Sequence, residues 1–377
     1  MNYSEHLRQL EQSGNLRTIS RENTRRDGII NLSANDYLGL ADRPGLEAEF
    51  FENVANRAIP MTSSASRLLV DDQNYYAPLE QAIEKLYRRP ALLFNSGYHA
   101  NTGLVQALAD RKTLILADRL VHASIIDGIR LSGAAFTRFR HNDTDHLERL
   151  IEKEEGRYDT ILVIVESVYS MDGDHADIDR LIDIRRSHPT VMLYVDEAHA
   201  FGVEGKWGLG LTAGRKEVDV TVCTLGKAAA SMGAFAVFSS SELRDYVINT
   251  ARSFIFSTAL PPMNVAWSLF IIQKMVMMDD ERRHLHALAE RLQRRLQPMS
   301  PDFSIEASHI QPFVVGDARR AVELSRRLLT RGFKVLPIRT PTVPPGTERL
   351  RISLSASLTT SDIDNFIDVL TDVCDNN

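Results

Sequence analysis

A chain of 377 residues in which 44% are hydrophobic can bury a large core, as two domains or as one large domain with an appendage. Fifty acidic against forty-four basic side chains give a net charge of -6, which argues against nucleic acid or an anionic membrane as the main partner. The only cysteines, Cys223 and Cys374, imply no disulfide framework, so a reducing, cytoplasmic setting is expected.

The N-terminal stretch reads as a short amphipathic helix whose Glu5, Arg8 and Glu11 interrupt any signal-peptide core. The polar, basic segment Arg17 to Gly28 follows, then an extended Ile29 to Leu32 and the stretch Ser33-Ala34-Asn35-Asp36-Tyr37-Leu38-Gly39-Leu40. Helices are expected near Leu46 to Ala55 and, after the loop Thr62 to Ser66, over Ala77 to Tyr87. From Ala91 the pattern becomes regular. Ala91–Phe94, Thr113–Ala117, Ile161–Val165, Val191–Val195 and Val218–Leu225 read as buried strands, with helices from Tyr98, over His122–Leu131 and over Ile178–Arg186 between them. Near-continuous apolar strands alternating with helices predict an α/β fold with a mostly parallel sheet covered on both faces.

Ligands on such sheets bind at the carboxyl ends of the strands, which puts Asn95–Tyr98, Asp118–His122, Glu166–Ser170, Asp196–His199 and Lys227 on one rim. After Pro261-Pro262 a helical stretch through Leu296 is expected. Its most apolar part, Met263 to Met278, is broken by Gln273 and Lys274 and reads as a core helix sooner than a membrane span. A smaller α+β unit follows: strand Pro312–Val315, helix Ala318–Arg331 closed by Gly332, strands Phe333–Ile338 and Arg349–Leu354, and a final helix from Ser361.

The run Val222 to Gly233 delivers Lys227 out of a buried strand among small residues, where desolvation penalises the ammonium form and can make the amine a nucleophile. A loop lysine that stays in water is the plainer reading of that residue alone. Asp196-Glu197-Ala198-His199, at the end of a second apolar run, suggests a shared site. The same four residues occur in nucleic-acid-dependent ATPases, but those also need G-x-x-x-x-G-K-[ST]. Here Gly205-Lys206 is followed by Trp207 and Gly226-Lys227 by Ala228, with Ala200 and Thr221 where the upstream glycine belongs, so the ATPase reading falls. A zinc site from Asp174, His175, Asp177 and His199 lacks tight ligand spacing, and no metal is expected.

Asn95-Ser96-Gly97-Tyr98, where a strand gives way to a helix, could hold a phosphate on free amides, although most such glycines only make the turn. His122 could cap its helix or stack on a flat ring. A pyridine aldehyde phosphate needs such groups: a carboxylate for the ring nitrogen, here Asp196, a donor for the phenolic oxygen, an amine for the aldehyde and amides for the phosphate.

These residues resemble the α-oxoamine synthase family of pyridoxal phosphate enzymes over nearly the whole chain. Ser33–Leu40, Asp118–Ser124, Glu166–Gly173, Asp196–His199, Thr224–Lys227 and Phe256–Pro262 match its motifs in order. The resemblance implies an aminotransferase-like fold (fold type I), with an N-terminal arm over 1–44, a large cofactor-binding domain over 45–268 and a C-terminal domain with its connecting helix over 269–377. It implies that Lys227 is the Schiff-base lysine, that His122 stacks on the cofactor, that Asp196 faces the pyridine nitrogen and that His199 faces the phenolic oxygen. Gly97, Tyr98 and Thr224 would hold the phosphate or its surroundings, Ser170 would lie near the ring, and Thr258 would reach the phosphate of the other subunit of a homodimer. Asn35 and Arg351 would hold the amino-acid carboxylate, with Arg339 and Arg17 on the acyl side. Ser63-Ser64-Ala65-Ser66 and Ala230 stand where the family usually has glycine, which implies a narrowed or reshaped cofactor and acyl channel.

The implied reaction is decarboxylative condensation of an amino acid, alanine by preference, with an acyl-CoA or acyl-carrier thioester. Pro337 to Thr347 looks most like the biotin-biosynthesis member of the family. Glycine C-acetyltransferase, long-chain synthases of the serine palmitoyltransferase or autoinducer type, and a non-catalytic regulatory or assembly subunit stay open as alternatives.

Overall fold

The computed structural model describes residues 2–19, 28–70, 74–301, 303 and 305–375; residues 20–27 of the polar, basic N-terminal segment lie outside them. Its strands, in chain order, are β1 (Ile30–Asn31), β2 (Ala91–Phe94), β3 (Thr113–Asp118), β4 (Ala135–Phe139), β5 (Thr160–Glu166), β6 (Val191–Asp196), β7 (Val220–Thr224), β8 (Ala234–Phe238), β9 (Ile310–Val314), β10 (Phe333–Lys334), β11 (Leu336–Ile338) and β12 (Arg349–Ser353). The chain divides into two compact units. The larger holds Leu38–Tyr169 and His175–Asp279, and the smaller holds Met1–Tyr37, Ser170–Asp174 and Asp280–Asn377.

In the larger unit seven strands form one sheet in the order β2-β8-β7-β6-β5-β3-β4. Strands β3 to β7 run parallel within it, and β8 lies antiparallel between β2 and β7. Successive side chains on a strand point to opposite faces, so one apolar run must feed two cores. Leu114, Leu116, Val163 and Val165 pack with Leu147, Ile151, Leu181 and Ile182 of helices Thr144–Glu154 and Ile178–Ser187. Ile115, Ala117, Leu162 and Ile164 pack with Leu104, Val105, Ile125 and Ile129 of helices Gly97–Leu108 and Ala123–Ser132. Each leucine or isoleucine so buried contributes about 1.5–3 kcal/mol. The last two helices approach closely because of glycine: a Cβ on Gly128 would stand 2.9 Å from Val105 Cβ and 3.1 Å from Asn101 O.

The register pairs Glu166 with Asp196 and Asp196 with Val222, so the polar residues that end β5 and β6 lie side by side. Strands β4 and β8 extend the expected series. The first four residues of β4 are exposed at the sheet edge, so it has no apolar run to read. The long helical stretch after Pro261 is two helices, Pro262–Met275 and Asp279–Leu296.

In the smaller unit β11, β12 and β9 form an antiparallel sheet with β12 in the middle, and β1 pairs in parallel with β10. The expected strand Phe333–Ile338 is therefore two short strands with different partners. Asp317 caps helix Ala318–Thr330 by accepting from Arg320 N at 2.8 Å. Gly173 has φ +74°, and a Cβ there would meet Ile310 O at 1.9 Å, so only glycine lets the Ser170–Asp174 segment lie against β9.

Candidate active site

The carboxyl ends of β5, β6 and β7 carry a connected set of buried polar groups in the larger unit. Asp196, the last residue of β6, is 3% exposed. Its Oδ1 accepts from Ala198 N at 2.8 Å and its Oδ2 from Asn101 Nδ2 at 2.7 Å. Asn101 also donates to Ser124 Oγ at 3.0 Å and accepts from Tyr194 Oη at 2.6 Å. Ser124 in turn meets His122 Nδ1 with its hydroxyl at 2.7 Å and its backbone N–H at 3.2 Å. Three residues beyond β7, the half-buried Lys227 brings Nζ to 2.6 Å from Nε2 of the buried His199. Two cations could not share that contact, so at least one of the pair is neutral in it.

Electrostatics follow from burial. Desolvation pushes the Glu166 carboxyl well up, and the neighbouring Asp196 adds to the rise, so Glu166 favours its protonated form. One of its oxygens, Oε1, is buried without a hydrogen-bond partner. His122 is exposed as a residue while its Nδ1 edge faces the fully buried Ser124; desolvation lowers its pKa, Asp196 opposes and Lys227 reinforces the shift. Glu197 is raised by burial but is held by Ser167 Oγ at 2.8 Å, Leu211 N at 3.1 Å and Thr212 N at 2.7 Å, which fixes the loop after β6.

Helix Gly97–Leu108 begins at this end of the sheet with Ser96 as its cap, accepting from His99 N at 3.2 Å. First-turn amides have no intrahelical acceptor and carry the positive end of the helix dipole, which suits an anion. A Cβ on Gly97 would project to 3.6 Å from Thr224 Cβ, so glycine keeps the space between the helix start and the end of β7 open. Thr224 Oγ1 accepts from Gly226 N at 3.3 Å and donates to Gly233 O at 3.2 Å. Tyr98 is exposed with its hydroxyl on Asp127, and Thr258 is exposed with its carbonyl accepting from Asn95 Nδ2.

In the smaller unit Arg351, on β12, is 3% exposed. Its guanidinium donates to Ser170 O at 2.6 Å, Ser353 Oγ at 2.7 Å, Asn35 Oδ1 at 3.2 Å and Tyr37 Oη at 3.4 Å. These four acceptors are neutral. Arg17 Nη2 donates to Thr342 Oγ1 at 3.0 Å and Arg339 Nη1 to Gly14 O at 2.6 Å. Burial, then repulsion from Arg17, lowers the pKa of Arg339.

The model of aminotransferase class I and II matches residues 27–370. The chain belongs to that family. Within it, the resemblance to the α-oxoamine synthases is borne out. An 8-amino-7-oxononanoate synthase of Haemophilus ducreyi is 46% identical over 350 residues, covering 90% of each chain. A serine palmitoyltransferase variant from S. paucimobilis, solved with a PLP-myriocin aldimine bound, superposes with a TM-score of 0.89 at 27% identity over 99% of this chain and 96% of that one. An 8-amino-7-oxononanoate synthase from Francisella tularensis gives 0.77 at 26% identity over 93% and 99%. The expected aminotransferase-like fold is borne out with them.

For this class I and II chain, the site residues that the resemblance implied divide between the two units. Gly97, Tyr98, His122, Asp196, His199, Thr224, Lys227 and Thr258 belong to the larger, and Arg17, Asn35, Ser170, Arg339 and Arg351 to the smaller. Asp196, His122, His199 and Lys227 are joined through the contacts and fields described above. Reasoning from sequence missed Asn101, Ser124 and Tyr194. The available signal was Asn101 itself, a polar residue one turn after Gly97 on the face that buries Ala100 and Leu104. Among the described residues, no helix is long and apolar enough to cross a membrane.

Proposed function

We propose that this chain is a pyridoxal-phosphate-dependent α-oxoamine synthase, and specifically an 8-amino-7-oxononanoate synthase acting in biotin biosynthesis. The observation that carries the reading is the half-buried Lys227, its amine 2.6 Å from His199, which together with the buried Asp196 carboxylate acts on His122. The donor set fits the cofactor. The open cradle between Gly97 and Thr224 suits its phosphate, with Tyr98 beside it. Asp196 suits the ring nitrogen, His199 the phenolic oxygen, Ser170 the ring's surroundings, His122 the ring face and Lys227 the aldehyde carbon.

The product name constrains the substrates. A nine-carbon acid with a 7-oxo and an 8-amino group is alanine, less its carboxyl, joined to a seven-carbon dicarboxylic acyl group. Alanine and the thioester are consumed, and the amino ketone, carbon dioxide and one thiol leave. When bound, the cofactor supplies an electron-withdrawing ring that takes up the electron pair left at Cα.

The chain's own residues do the rest. Arg351 and Asn35 hold the amino-acid carboxylate; a buried guanidinium with neutral partners gains most from an anion. Lys227 Nζ, once free, takes the proton from Cα and returns it. Asp196, oriented by two hydrogen bonds, serves the ring nitrogen. His122 and Ser170 orient the reacting amino acid, and Arg17 and Arg339 receive the acyl side. The working form is a cytoplasmic homodimer in which Thr258 serves the neighbouring subunit's phosphate. Exposed Phe256, Met61 and Met232 support such an interface.

The test offers glycine, alanine and serine with acetyl, seven-carbon dicarboxylic and palmitoyl thioesters, on CoA and on a carrier protein, and follows thiol release. Alanine with the seven-carbon acyl group is expected to be fastest. Faster turnover of glycine with acetyl-CoA, or of serine with a palmitoyl thioester, contradicts the specific assignment.

A further inference from the structure

We propose that Asn101 and Ser124 are positioning residues that hold His122 as a neutral imidazole with its proton on Nε2. The backbone N–H of Ser124 lies 3.2 Å from His122 Nδ1 and can only donate, so Nδ1 accepts and carries no proton. Ser124 Oγ reinforces this. It receives a hydrogen from Asn101 Nδ2 at 3.0 Å and therefore directs its own proton to Nδ1, 2.7 Å away.

The orientation of Asn101 is fixed by its other neighbours. Its amide nitrogen faces the Asp196 carboxylate at 2.7 Å and its oxygen receives the Tyr194 hydroxyl at 2.6 Å. Turned round, it would set its oxygen against a carboxylate oxygen. Asn101, Ser124, Tyr194 and Asp196 are all at most 3% exposed, so water does not replace these partners. The hydrogen bonds thus diverge from the Asn101 amide nitrogen, one to the Asp196 carboxylate and the other through Ser124 to the imidazole. The charged groups that act on His122 are Asp196, Lys227 and Asp127, and the backbone N–H of His122 faces the Glu166 carboxyl. Desolvation, which depresses the His122 pKa, acts in the same sense as the network.

The catalytic consequence rests on the proposed function. A neutral ring stacked on a protonated pyridine avoids repulsion between two cations, and Nε2–H remains as its one ring donor for the reacting groups. The tautomer itself follows from contacts within the chain.

The experiment uses holoenzyme labelled with 15N-histidine, with His122→Asn to identify the His122 signals. At neutral pH Nδ1 is expected unprotonated and Nε2 protonated. Ser124→Ala removes one donor to the neutral form, so the His122 titration and the acid limb of kcat should move to higher pH together. Ser124→Thr, which keeps a hydroxyl, should restore both. A merely structural serine would change stability and leave the titration in place. A proton on Nδ1 in the wild type, or an unmoved titration in folded Ser124→Ala, overturns the proposal. If Ser124→Ala does not fold, the wild-type tautomer decides alone. Protein with the expected tautomer that releases no thiol would overturn the proposed function and support this inference.

Discussion

Arg351 and Glu166 carry opposite electrostatic problems. The Arg351 guanidinium is buried against neutral acceptors, and an amino-acid carboxylate would complete its coordination. Arg351→Lys keeps the charge but loses the planar fork. It should raise the KM for the amino acid about ten- to hundredfold, since a hydrogen bond to a charged group is worth about 1.5–3 kcal/mol. Steady-state kinetics against the amino acid check this. Glu166 is a carboxyl whose folded pKa is raised by burial and by Asp196. A raised carboxyl favours the fold below its unfolded pKa and loses that contribution as pH rises through the folded value. Glu166→Gln should therefore gain stability relative to wild type as pH rises above the ordinary carboxylate range. Melting curves across pH measure the difference, and parallel curves would speak against a protonated Glu166.

The elements explain where the sequence was readable. Lys227 and the Asp196–His199 group stand out because each breaks an apolar run at a strand end, and a sheet with both faces buried leaves few other places for charge. Asn101 and Ser124 lie inside helices among apolar neighbours, and only the close approach of helices Gly97–Leu108 and Ala123–Ser132 gives them meaning. Strand β4 was illegible because its exposed edge has no apolar pattern. The departures from the family's glycines have a backbone counterpart. Ala230 and Ser64 adopt φ of 42° and 48°, in the left-handed region where a side chain costs about 1 kcal/mol. Ala230→Gly should raise stability by up to about 1 kcal/mol. Equilibrium denaturation tests it, and a clear loss would mean the methyl group packs better than its backbone strain costs.

At the scale of the molecule, two units bring distinct chemistries. The larger offers an amine, two imidazoles and a buried carboxylate at the end of a parallel sheet; the smaller offers buried and half-buried arginines. The family assignment and the sheet architecture were legible because six ordered motifs and a strand-helix alternation extend through the chain. The expectation of a homodimer rests on the resemblance alone, since no internal pattern encodes one. Light scattering on the purified protein should give twice the mass of one chain, and a stable, fully active monomer would contradict the assignment of Thr258.

Everything about activity depends on one amine. Borohydride reduction of the cofactor-loaded protein, followed by peptide mass mapping, should place a phosphopyridoxyl group on the peptide carrying Lys227. A group found on a different lysine, or none on a protein that releases thiol at full rate, would contradict the account.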